Sequence, residues 1–232
     1  LHFLKLALQF KVIVSVAFVS KESILTAQDY PTQIRQHYQQ FFGIEPKVHK
    51  WLDDTLKELP SDFRIFEFEP REPRNVWTYA TCCMWQKSDM SPAVPQGRHQ
   101  NELIELHLFS KERSTYKSGP GNHVELLQYL AHYHRTNERI ALSHCIPFER
   151  PWIDESECTY GLITYPYLDG PKLEMMELED VFVQSLWVVP ITQQEFDFQA
   201  EIGTFELEKM FFEVAHERVD YLDTPRRKSF VG

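Results

Sequence analysis

Val181-Phe182-Val183-Gln184-Ser185-Leu186-Trp187-Val188-Val189-Pro190-Ile191-Thr192-Gln193-Gln194-Glu195 is the stretch that decides the fold. Its β-branched and aromatic residues over Val181–Val189 predict a strand. Thr192 and Glu195 then make a capping box, in which each side chain satisfies a backbone donor at a helix start. A strand therefore runs close to a helix start. Gly203 ends that short helix and Thr204 caps another, where Leu207, Met210, Phe211 and Val214 repeat at i, i+3, i+4, i+7.

Working outward, the same periodicities divide the rest of the chain. Ile34, His37, Tyr38 and Phe41 share one helical face, with Pro31 to open the helix and Gly43 to close it. Val48, Trp51, Leu52 and Leu56 predict a second helix, stopped by Pro60. Phe63–Phe68 is apolar on both sides and reads as a central strand. Further strands are expected at Val76–Trp85, Glu102–Phe109, Ile140–Ile146 and Tyr160–Tyr165. Ser88–Gly97 reads as a loop, and the turn-rich Lys117–Asn122 leads into a helix over Val124–His134. Six strands among five helices predict one α+β domain, a mixed β-sheet covered by helices. That domain occupies residues 30–232. Residues 1–29 read as a dispensable extension. Lys5 and Lys11 before the apolar run Val12–Val19 give a weak secretory signal as the second reading.

Composition excludes several functions. The 232 residues carry 34 acidic and 24 basic side chains, a formal charge of −10. That balance opposes nucleic acid and anionic lipid and favours a basic protein partner, although solubility alone is the preferred account of the charge by itself. Only 8 glycines are present, and no P-loop or G-x-S-x-G element occurs, so no cofactor is expected. Cys82, Cys83, Cys145 and Cys158 form no CxxC and read as reduced small hydrophobes of a cytoplasmic chain. Strand alternation would send Cys82 and Cys83 to opposite faces.

Two constellations raise function. His123, His132, His134 and His144 suggest a metal, but on a helix positions i and i+2 point ~200° apart, and no zinc spacing is present. Neither a metal site nor a catalytic site is assigned. The segment Pro147–Glu157 sets Phe148 and Trp152 among acids. Aromatic anchors ringed by charge are common in binding sites, so Trp152, Asp154, Glu155 and Glu157 are the candidate partner-binding residues. The competing reading is a solvated loop whose Trp152 packs onto the core.

Taken in order, these segments resemble the Suppressor-of-fused domain family. Thr81-Cys82-Cys83-Met84 with Ser88 stands where that family has T-x-G-M-S, and Cys83 replaces the glycine. Ser143-His144 resembles its G-H, with serine for glycine. Leu186–Thr192 with Glu195 resembles its L-L-P-I-T-x-x-E, and Asp220–Val231 its closing D-x-x-R-x-S-V. The resemblance implies an α/β sandwich without catalytic chemistry, and it sets Asp154 near the edge where animal members hold a peptide. Stand-alone bacterial members are associated with immunity to secreted toxins. The first expectation is therefore an immunity protein that neutralises a toxin by binding it. The second is a regulatory peptide-binding module. A third, from a different class, is a hydrolase using His144 or His123 with an acid.

Overall fold

Strand β8 (Phe182–Thr192) organises the molecule, because its side chains are buried on both faces over most of its length. In the computed structural model, which describes residues 29–50, 58–72, 75–85, 103–113, 122–167, 169–178, 181–215 and 227–231, this strand pairs with three others. It runs parallel to β4 (Ile104–Ser110), with Leu106 opposite Leu186. It runs antiparallel to β6 (Cys158–Thr164) and to the short β7 (Met175–Glu177). Beyond β4 lie β3 (Trp77–Cys82), β2 (Arg64–Phe68) and β1 (Lys47–Lys50), and beyond β6 lies β5 (Cys145–Pro147). The sheet is mixed, with β4–β8 parallel and the other described pairs antiparallel.

Each face of the sheet carries its own core. Ile104, Leu106, Leu108, Leu186 and Val188 face helix α2 (Asn122–Thr136), which buries Val124, Leu127, Leu130 and Ala131 against them. The alternate residues Phe109, Trp187, Val189 and Ile191 face α1 (Tyr30–Phe42), α3 (Pro171–Glu174) and α5 (Thr204–Ala215). Helix α4 (Gln193–Ile202) follows β8 directly through the expected box. Glu195 N–H donates to Thr192 Oγ1 at 3.3 Å, and Thr192 N–H donates to Glu195 Oε2 at 2.8 Å. Helix α1 is capped by Asp29, whose carboxylate accepts from Thr32 N–H at 3.2 Å. It closes at Gly43, where φ of 70° suits a residue without Cβ.

Three expectations need correction. Val48 does not begin a helix: Lys47–Lys50 is a strand paired with β2, Val48 opposite Phe66. The apolar spacing that suggested helix lost to cross-strand pairing, helped by His49 Nε2 at 2.6 Å from Glu67 Oε2. Trp51, Leu52 and Leu56 lie outside the described residues, as does the loop Ser88–Gly97. The strand expected over Ile140–Ile146 survives only as Cys145–Pro147, because Ser143 takes φ of 68° and interrupts it. Cys82 and Cys83 do not face opposite ways. Cys83 takes φ of 66°, which breaks the alternation and leaves the two sulfurs 3.6 Å apart. Elements α3 and β7 were not expected at all, being too short to show a period.

Candidate functional site

The Pro147–Glu157 segment joins edge strand β5 to β6 and lies against α2. Its conformation follows from a few anchors. Phe148 N–H donates to Thr159 O at 2.8 Å and Trp152 N–H to Cys158 O at 3.1 Å, so the segment is tied to β6. Phe148 sits where Gly161 leaves space. A Cβ there would lie 2.6 Å from the Phe148 ring. Trp152 is only 3% exposed. Its Nε1–H donates to Ser156 Oγ at 3.0 Å, and its ring meets that of His123 edge-on at 5.1 Å. Trp152 thus packs down as part of the core and fixes the segment in place.

The acids lie on the outside of this frame. Asp154, Glu155 and Glu157 are exposed, and Glu155 holds φ of 66° at the tip. Glu157 forms an ion pair with Lys228, so part of its charge is already compensated. On the α2 side, Arg150 bridges to Glu125 at 2.8 Å, and Tyr129 OH donates to Pro147 O at 3.1 Å. Between α2 and the segment opens a cleft of about 390 Å³. Leu126, Phe148 and Trp152 supply its apolar wall, and Glu125, Tyr129 and Glu149 its polar margin. The four sequence-derived residues are therefore brought into one segment, but in two roles. Trp152 supports it from within, and the three acids face solvent. Sequence reasoning missed the cleft, since α2 is distant in sequence. The i, i+3 spacing of Leu126 and Tyr129 was its only trace.

His123 and His134 take structural positions. His123 is fully buried, its ring stacked on Tyr79 at 4.8 Å, and burial lowers its pKa to about 3 against an opposing pull from Glu67. A neutral imidazole enclosed between Tyr79 and Trp152 has no route to a substrate. His134 Nδ1 accepts from Ile140 N–H at 2.9 Å, and His132 turns instead toward Glu58 at 3.4 Å. Sequence reading did not find the Ser185–His107 pair, whose Oγ and Nδ1 lie 2.8 Å apart. It resembles a nucleophile with its base. Both residues have no exposed surface, and Tyr38 OH lies 3.3 Å from the same Oγ, so the pair is a buried polar link between α1 and the sheet. Among the described residues no group of three or more His, Cys, Asp or Glu is placed to hold a metal ion. No described helix is long and apolar enough to cross a membrane.

The sandwich thus anchors an acidic segment at one edge, while His123 and the Ser185–His107 pair are enclosed in its core. The chain belongs to the Suppressor of fused protein (SUFU) family, whose model matches residues 60–227. It is similar to a solved structure described as a suppressor of fused homolog from Neisseria gonorrhoeae FA 1090. The TM-score is 0.68 at 26% identity, covering 88% of this chain and 98% of that one. It also shares its fold with a chain of the Sufu–Fu complex, with TM-score 0.65, 15% identity and coverage of 87% and 92%. Drosophila Suppressor of Fused matches with TM-score 0.63 at 15% identity, over 85% of this chain but 50% of that protein. No curated protein matches the sequence.

Proposed function

We propose that this chain is a non-enzymatic immunity protein that neutralises a cognate toxin by direct binding. The observation that carries the reading is the acidic segment itself. Exposed Asp154 and Glu155 belong to the segment whose Phe148–Trp152 stretch walls a cleft against α2, on a frame pinned by Trp152 and Phe148. Apolar area supplies affinity and carboxylates steer a basic partner toward it. The likeness to a bacterial homolog over 98% of that homolog's length supports a role for one such domain without a second. The fold shared with a chain of the Sufu–Fu complex supports protein binding as the mode of action.

Quantitative capture from the native host, comparing the parent with an Asp154→Asn/Glu155→Gln variant, identifies the partner as the protein depleted with the variant. Producing that partner alone and then together with this chain tests immunity. Growth arrest by the partner, relieved by co-production, is the expected result. A partner that is harmless alone favours the regulatory peptide-binding reading and overturns immunity. Equal capture by both chains moves the interface away from this segment.

A further inference from the structure

The turn that ends β3 places two thiols together at a conformational cost. Cys83 holds φ of 66°, a region that glycine enters freely and that other L-residues enter at a penalty. A glycine here would make the same turn without strain. The sulfur that replaces it lies 3.6 Å from Cys82 Sγ, and both residues have no exposed surface. Strain of this kind, held by the surrounding structure, is a mark of function. The surroundings do hold it. Met84 N–H donates to buried Glu105 at 3.0 Å, and Cys82 Sγ lies 3.9 Å from Pro31 O in the first turn of α1.

We infer that Cys82 and Cys83 form a dithiol site that peroxide oxidises to a disulfide between neighbouring residues. One sulfur, as thiolate, attacks a peroxide oxygen. The O–O bond breaks, water leaves after protonation, and a sulfenic acid remains. The second sulfur attacks the sulfenic sulfur, the S–O bond breaks, and a second water leaves. Two thiols and one hydrogen peroxide thus give one disulfide and two waters, with two electrons passing from sulfur to oxygen. The sulfurs must close from 3.6 Å to ~2.05 Å, and because adjacent Cα atoms lie only ~3.8 Å apart, inside the usual ~4.4–6.8 Å of disulfides, closure distorts the turn. A ring this small is strained, and strained disulfides are the readily reduced ones. Burial pushes the Cys82 thiol well above its usual pKa, so reaction awaits local opening of the first turn of α1.

The full chain is treated with hydrogen peroxide, quenched, unfolded in denaturant with N-ethylmaleimide and digested for mass spectrometry. The expected peptide spanning Cys82 and Cys83 is lighter by two hydrogens and takes no label in most molecules. Cys145 and Cys158 remain labelled, and dithiothreitol restores both lost sites. Cys83→Gly keeps the turn and removes the partner, so Cys82 in that variant forms no internal bridge. Two labels on the peptide, a bridge to Cys145 or Cys158, or irreversible sulfinic acid would each overturn the proposal.

Discussion

The Arg227 guanidinium grips the Glu195 carboxylate with both ends of its fork, Nη1 to Oε1 at 2.6 Å and Nη2 to Oε2 at 2.9 Å, with neither side chain more than 1% exposed. Glu195 is already the capping residue of α4, so one carboxylate ties the helix start to the end of the chain. Arg227 also donates to Pro190 O at 2.7 Å and lies over the Phe230 ring at 4.6 Å.

Removing one member of a buried pair strands the other charge, which costs about 3–5 kcal/mol. Arg227→Ala is therefore expected to lower the urea midpoint strongly. Arg227→Lys recovers only part of that loss, because an ammonium cannot match the planar fork. A midpoint for Arg227→Ala within experimental error of the parent would contradict this.

Ser143 and Cys83, which stand where the resembled motifs carry glycine, take φ of 68° and 66°. The departures keep a glycine-like backbone. Ser143→Gly relieves strain but frees the unfolded chain, so its net effect is neutral to stabilising by under ~1 kcal/mol. Ser143→Val, β-branched at a left-handed position, is expected to lose ~1–2 kcal/mol or more. Thermal melts of the two variants against the parent check the ordering.

Glu105 sets a pH dependence. Complete burial raises its pKa from the ordinary 4.5 to about 8, although bonds from Thr81 and the Met84 and Cys83 amides oppose the shift. The folded state therefore holds a proton that the unfolded state has released between those values. Stability from this group falls as pH rises through that window and levels off above it. Glu67 acts in the opposite sense. Burial raises its pKa, but His49, Lys47 and Arg113 outweigh this and hold it low, so its contribution is lost as pH falls through the acid range. Glu105→Gln, always neutral, should gain on the parent by a few kcal/mol from pH 5 to pH 9, read from urea midpoints at both.

A chain of residues 29–232 should melt as cooperatively as the full chain. Asp29 must be kept, since it caps α1, and starting at Tyr30 would lose ~0.5–2 kcal/mol. A drop of several degrees in the 29–232 melt would show that residues 1–28 contribute to the fold, because ~1 kcal/mol shifts a domain of this size by ~2–4 °C.

What could be read from the sequence follows the range of the forces involved. The Thr192–Glu195 box was legible because it closes over three residues, and β8 because both of its faces are apolar. Val48 misled because helical spacing is a local signal, while its pairing with Phe66 is not. The acids of the candidate surface were legible from composition. The inward packing of Trp152 stood as one of two readings, and the sequence did not decide between them because the packing depends on His123 from α2 as well as on Ser156.

The direct test of the proposed function is stopped-flow association with the captured partner at two ionic strengths. The parent should associate faster at low salt, as expected for steering between unlike charges. Asp154→Asn/Glu155→Gln should associate more slowly and with a flatter salt dependence, while dissociation changes little. If the variant folds normally and its association rate and salt slope match the parent, this segment does not steer the partner and the account is wrong.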